Sequence, residues 1–285
     1  MVVRPPLRVA SHLAPGVLPL YTFLADYLAA SIGRRAEFTV ATSYERCAQD
    51  VDDLCFVCSV PYLLFAELGR IHMEVVAAPV LIGARYAGRP IYFSDVVVRS
   101  DSPYQRFADL RGAVWAYNEP FSHSGYIVVW HHLLSLDEGA GYFSRMVEAG
   151  FHSEALRMVA DGTVDAAAID SQVLAIELRD HPDLAKRLRI IGAIGPSTIQ
   201  PLVASTARLS AVERRTILAA LLAVGDDPRA RPVLDAALVE RFVAVDGESY
   251  DDVRLMLGRV HEAGLVGAQW RARWAAVSSP TSTVI

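Results

Sequence analysis

The residues best placed to do chemistry lie in the stretch Ala116-Tyr-Asn-Glu-Pro-Phe-Ser-His-Ser-Gly-Tyr-Ile127. A strand reads into a loop containing Pro120. Ser122, Ser124 and Gly125 then come directly before the apolar run 126–134. Serine is a favoured helix N-cap, and small residues let backbone N–H groups approach a ligand closely. The first turn of a helix carries unpaired N–H donors and about half a positive charge, which together suit an anion. Ser122, His123 and Ser124 would add side-chain donors around tetrahedral oxygens. The plainer reading of the same residues is an ordinary capped helix.

Other chemistries find little support. Lys186 is the only lysine, and it sits in a polar stretch that reads as a solvated helix end. Schiff-base catalysis would have to use it. The three cysteines are Cys47, Cys55 and Cys58. Cys55 and Cys58 form a CxxC, but the surrounding residues read as a buried strand, where positions three apart point to opposite faces. The expectation is three small buried hydrophobes. His131 and His132 are adjacent on a presumed helix and would face about 100° apart, a poor chelate. No zinc-protease, Walker or dinucleotide glycine pattern is present. No metal and no cofactor is expected.

Several motifs resemble the phosphate/phosphite/phosphonate substrate-binding proteins of ABC transporters. They are Pro90-Ile-Tyr92, Asp109-Leu-Arg-Gly112, Ser122-x-Ser124-Gly-Tyr126, the run from Gly150-Phe-His152 to Asp165 and Asp170, and Tyr250-Asp-Asp-Val-Arg254. The resemblance runs from about Val51 to Gly258. It implies a two-lobed, periplasmic-binding-protein-like (type II) α/β fold, each lobe a mostly parallel sheet flanked by helices, with two crossing strands between them. It also implies that Ser122, His123 and Ser124 hold an oxyanion, that Tyr92 and Tyr62 close over it, and that His152 and Asp170 complete the site. His123 departs from the family, which more often has a small hydroxyl residue there.

Each implied role has a physical basis. Tyr92 and Tyr62 can donate a phenolic hydrogen bond while covering a ligand's organic face. His152 can donate to an anion oxygen and is favoured in its charged form beside one. A carboxylate repels a dianion, so Asp170 makes sense when the ligand carries a proton or an amino group, and a buried acceptor then rejects ligands that lack one. The competing readings are a core strand residue for Tyr92, a polar turn residue for His152 and a helix cap for Asp170.

The elements that must position these residues follow from hydrophobic periodicity. Strands are expected at 7–11, 38–41, 53–59 and 73–80, with helices at 18–32 and 61–68 and a short helix or turn at 44–50. This alternation marks an α/β lobe. The long β-rich run 91–99 reads as a crossing strand. A second lobe follows, with a turn at 107–111, a strand at 113–117, helices at 124–134 and 142–149, and further βα alternation to about Ile191. Gly192, Gly195, Pro196 and Pro201 punctuate the return crossing. From Ser210 onward the chain is expected to be mostly helical and to pack on the first lobe. The lobes are thus 1–95 with 203–285, and 96–202.

The 285 residues, 53% hydrophobic and 21% charged, have the composition of a globular chain. The apolar runs are far shorter than the ~20 residues of a membrane span. A net charge of −5 argues against a nucleic-acid partner but not against a small anion held by backbone dipoles. The N-terminus leads straight into a strand without an apolar secretory segment. The expected location is extracytoplasmic if a leader was removed and cytoplasmic if the chain is complete. Two functions remain open: a receptor clamping phosphonate, phosphite or phosphate, with an ABC permease as a candidate partner, or a cytoplasmic biosynthetic enzyme of the menaquinone or thiamine-pyrimidine type on the same scaffold.

Overall fold

A computed structural model describes residues 4–41 and 43–266. Two sheets flanked by helices make a mixed α/β architecture. The six-stranded sheet contains β1 (Leu7–Ser11), β2 (Ala36–Val40), β3 (Leu54–Phe56), β4 (Met73–Leu81), β10 (Leu202–Ser205) and β11 (Val239–Ala244), in the order β11-β4-β10-β3-β1-β2. The five-stranded sheet contains β5 (Ile91–Arg99), β6 (Val114–Tyr117), β7 (Arg145–Glu148), β8 (Ala166–Asp170) and β9 (Leu188–Thr198), in the order β7-β6-β8-β5-β9.

Helix α1 (Leu18–Ser31) shows why the strands of the first sheet stay buried. Leu20, Leu24 and Leu28 recur every four residues and lie in the core with Leu7 and Val9 of β1. Helices α8 (Ala211–Ala223) and α9 (Arg231–Ala236) cover the same core through Ile217, Leu221 and Leu234. On the second sheet, α5 (His152–Ala160) buries Ala155, Leu156 and Val159 against Ala167 and Ile169 of β8.

The strand directions are mixed. β2, β1 and β3 run parallel, as do β7, β6 and β8. The strands that lead into and out of the crossings, β5, β9 and β10, pair antiparallel to their neighbours. Most strands of each sheet still share one direction, β2, β1, β3 and β4 in the first and β7, β6, β8 and β9 in the second. A strand entering a sheet directly from the other lobe needs no helical crossover, so its direction is free. The two crossings lie side by side. Ile91 pairs with Thr198, and the Ile199 N–H donates to the Pro90 carbonyl at 3.0 Å. Helix α10 (Asp251–Glu262) pins them, since Asp252 accepts from the Thr198 N–H at 2.7 Å and the Tyr250 hydroxyl donates to the Ile199 carbonyl at 2.8 Å.

Two local expectations fail. The segment 142–149 contains strand β7 rather than a helix, because parallel pairing with β6 outweighs local preference over four residues. Its apparent helical pattern came from Tyr142 and Phe143, whose rings stack on Phe107 and Trp115 respectively. The segment after Ser210 is mostly helical, with β11 closing the edge of the first sheet against β4, but it does not all rest on the first lobe. Val253, Leu257 and Val260 of α10 share a core with Val60 and Leu63 of α3 (Ser59–Glu67) and with Val129 and Leu133 of α4 (Val128–Ser135).

Candidate functional site

A cavity of about 350 Å³ lies between the sheets, lined from one side by His12, Pro15, Tyr21 and Tyr44 and from the other by Asn118, Ser122, Ser124 and His152. It sits where strand ends from both sheets meet. His12 directly follows β1, Asn118 follows β6, and Asp170 is the last residue of β8. Ligands in open α/β sheets gather at such carboxyl ends.

The serine loop is a wide turn. The Ile127 N–H donates to the Ser122 carbonyl at 3.0 Å, five residues back, so His123–Ile127 forms one π-helical turn ahead of α4. Such turns recur at functional sites. The Ser122 hydroxyl caps the turn by accepting from the Gly125 N–H at 3.0 Å, which leaves its own hydrogen to donate. Gly125 permits the tight approach of Asn118, because a Cβ there would stand 2.0 Å from the Asn118 Oδ1.

His152 opens α5, and its Nε2 lies 2.9 Å from the Ser124 Oγ. Burial lowers its pKa to about 4, so the ring is neutral near pH 7. Its Nδ1 has no hydrogen-bond partner among the described residues. Asp170 lies at the cavity wall and caps α6 (Ser171–Asp180). One carboxylate oxygen accepts from the Gln172 and Val173 N–H groups at 2.8 and 3.2 Å; the other accepts from the Gln200 side chain at 2.7 Å. Burial raises its pKa, and these donors act against the rise.

Four of the seven residues singled out in the sequence therefore line the cavity: Ser122, Ser124, His152 and Asp170. The other three lie elsewhere. His123 is wholly buried, has no partner for either ring nitrogen, and has a pKa lowered to about 3 by desolvation. It is absent from the cavity lining, and its ring lies beside that of Tyr92 instead. Tyr92 stands behind the serine loop beside Ser124, 1% exposed, with its ring 6.2 Å from that of His123. Its hydroxyl approaches the Ser124 side chain from behind the loop. Tyr62 is buried on α3 in the core that includes Tyr250, because the helical phase turns it away from the cleft.

Sequence reasoning missed His12, Tyr44, Asn118, Glu119 and Gln200. His12 could have been found from its place at the end of the first strand. Tyr44 stacks on His12 at 5.5 Å and donates across the cleft to Glu119 at 2.7 Å, a pairing of residues 75 positions apart. Among the described residues lining the cavity none is Arg or Lys, while Glu119, Glu148 and Asp170 are acidic. The Cys55 and Cys58 side chains do part company: Cys58 lines the cavity, and Cys55 lies in the core near His12 and Asp52.

Two mixed sheets, paired crossings and a polar cleft between them define a two-lobed substrate-binding protein. The chain belongs to the family described as ABC transporter, phosphonate, periplasmic substrate-binding protein, whose family model matches residues 9–250. Among solved structures it is similar to a binding protein component of an ABC phosphonate transporter from Pseudomonas aeruginosa (TM-score 0.77, 18% identity, 96% of each chain covered). It is also similar to PhnD1 from Prochlorococcus marinus in complex with methylphosphonate (TM-score 0.77, 15% identity, 90% of this chain and 98% of that one). A third is the alkanesulfonate-binding protein from Xanthomonas axonopodis bound to MOPS (TM-score 0.66, 16% identity, 94% and 96% covered). No curated protein matches the chain in sequence. No described helix is long and apolar enough to cross a membrane.

Proposed function

We propose that this chain clamps a phosphonate between its lobes, and that no covalent step follows. The observation that carries the reading is the convergence of Ser122, Ser124 and His152 on one interlobe cavity, with the Ser124–His152 hydrogen bond joining two helix N-terminal turns. The two turns supply positive dipole ends and N–H donors. Ser122 supplies a hydroxyl donor, and His152 can gain a proton beside an anion.

Among the described residues the lining holds no Arg or Lys and three acidic side chains, which limits the ligand's charge. A bare dianion would meet like charge with no cation to offset it. A singly protonated phosphonate, or one carrying an ammonium group, gives Asp170 or Glu119 a donor to accept. Phosphate and phosphite share the first property and are the natural competitors. A sulfonate carries no proton near neutral pH and offers these carboxylates no further donor, so their repulsion of the anion goes uncompensated. Entry and closure would turn on the two crossings at Pro90 and Ile199, which lie side by side as a hinge requires. Delivery to an ABC permease would follow closure.

The test is a melting-temperature panel with methylphosphonate, 2-aminoethylphosphonate, phosphate, phosphite and methanesulfonate. A true ligand at ~100 times its dissociation constant adds about 2.7 kcal/mol. A selective rise with a phosphonate, lost in Ser124→Ala, is the expected result. No rise with any phosphorus oxyanion, or an equal rise in Ser124→Ala, would overturn the assignment.

A further inference from the structure

We propose that His12, Asp52 and Cys55, joined by Cys47, form a site for a thiophilic divalent cation such as Zn²⁺, beside the ligand cavity. The ligating atoms of His12, Asp52 and Cys55 all lie within 4.8 Å of one another. Zinc holds its ligands about 2.0–2.3 Å away in a tetrahedron, which puts neighbouring donors about 3.3–3.8 Å apart, so the most separated of these atoms would close by about an ångström on binding. The donor set of imidazole nitrogen, carboxylate oxygen and thiolate sulfur is the one that selects zinc over magnesium or calcium.

The fold brings the four together from separate places. His12 follows β1, and its N–H is tied to the Phe56 carbonyl of the neighbouring strand at 2.9 Å. Cys55 sits on that strand, paired with Ala10. Asp52 leads into it. Cys47 lies on α2 (Glu45–Ala48), outside the 4.8 Å set but near enough to Asp52 and Cys55 to interact with them electrostatically, and would close in as the fourth ligand. Both thiols are free and nearly inaccessible, Cys47 at 1% and Cys55 at 0% exposure. The His12 Nε2 is buried with no hydrogen-bond partner, a state that ordinary folding leaves rarely. A cation would satisfy it.

Charge balance favours the site over its surroundings. Asp52 is gripped by Arg46 at 2.9 and 2.5 Å, a neutral pair. On binding, each thiol gives its proton to solvent as its sulfur–metal bond forms. The two thiolates and Asp52 then carry three negative charges, against two on the metal and one on Arg46. The cluster is neutral before and after, so no uncompensated charge enters the core. Arg46 keeps one carboxylate oxygen while the other ligates, the outer-shell role that such partners play.

The experiment uses the full chain, reduced and stripped by a chelator, then titrated with Co²⁺ as a spectroscopic substitute. Expected is one equivalent bound, with thiolate-to-cobalt charge-transfer bands that Zn²⁺ abolishes. Cys55→Ser and Cys47→Ser should lose the charge-transfer intensity, while Cys58→Ser, at the cavity wall, keeps it. Circular dichroism checks each variant's fold. Should Cys55→Ser fail to fold, His12→Ala decides through its altered d–d spectrum. Absence of charge-transfer bands in the reduced wild-type chain overturns the proposal. So does their survival in folded Cys47→Ser and Cys55→Ser, or an unaltered spectrum in His12→Ala.

Discussion

Gly125 is where the geometry of the serine loop can be tested most sharply. A Cβ added there would stand 2.0 Å from the Asn118 Oδ1, 3.1 Å from its Cγ and 3.3 Å from the His152 Cε1. Ordinary contact begins near 3.4 Å, so the amide oxygen must withdraw by about 1.4 Å while the imidazole barely moves. The backbone at Gly125 lies outside the left-handed region, so alanine is not strained there. Gly125→Ala therefore combines a helix-propensity gain of up to about 1 kcal/mol with an overpacking cost of roughly 1–3 kcal/mol, and net stability changes little. Asn118 lines the cavity and has space on that side, so its amide swings toward the ligand. Isothermal titration with the best phosphonate should show affinity at least tenfold weaker, about 1.4 kcal/mol. Asn118→Ala removes the clash. The double variant Asn118→Ala/Gly125→Ala should bind nearly as well as Asn118→Ala alone, giving a coupling energy of the same size. Wild-type affinity in Gly125→Ala, or no recovery in the double variant, would refute the argument that the loop is held by this contact.

Two further outcomes follow from the buried histidines. His152 has a folded pKa near 4 against 6.5 when unfolded, so its contribution is fully present above pH 6.5 and is lost as pH falls toward 4. That is a loss of about 3 kcal/mol from this residue alone, with His123 acting in the same direction and Asp170, whose pKa is raised, in the opposite one. Melting temperature should fall steeply between pH 6.5 and 4, and a flat profile there would contradict the neutral burial of His152. His123 leaves both ring nitrogens unpaired in the core, so His123→Leu should stabilise by roughly 1–2 kcal/mol and leave ligand affinity intact. A loss of affinity in that variant would show that the ring faces the ligand.

The sequence made visible what is local and hid what depends on phase or on distant contacts. Ser122, Ser124 and Gly125 could be read because a cap and a small residue before an apolar run have a fixed meaning along the chain. His123 could not be separated from them, because the direction of each side chain depends on a π-helical turn that no spacing rule announces. Tyr62 was misplaced for a similar reason: one turn of α3 decides between cleft and core. The first-sheet wall was invisible since His12 and Tyr44 meet Glu119 only through the tertiary fold. Strand β7 was lost because one exposed and three half-buried edge residues carry less pattern than the aromatic pair ahead of them.

The acidic lining bears on how an anion could be held here at all. A lysine or arginine would attract any anion and would favour the most highly charged one. Helix N-termini and hydroxyls instead offer directed donors worth about 0.3–1 kcal/mol each, up to about 2 when partly buried, which cannot by themselves overcome repulsion from neighbouring carboxylates. Asp170 is tied by three donors and Glu119 by Tyr44, so neither can swing away when a ligand enters. Such a site gains affinity only when the ligand also supplies a proton or a cation to those fixed acceptors. Selectivity for a protonated or zwitterionic phosphonate over a sulfonate is then the outcome expected of the melting-temperature panel, set by what the cleft lacks as much as by what it contains.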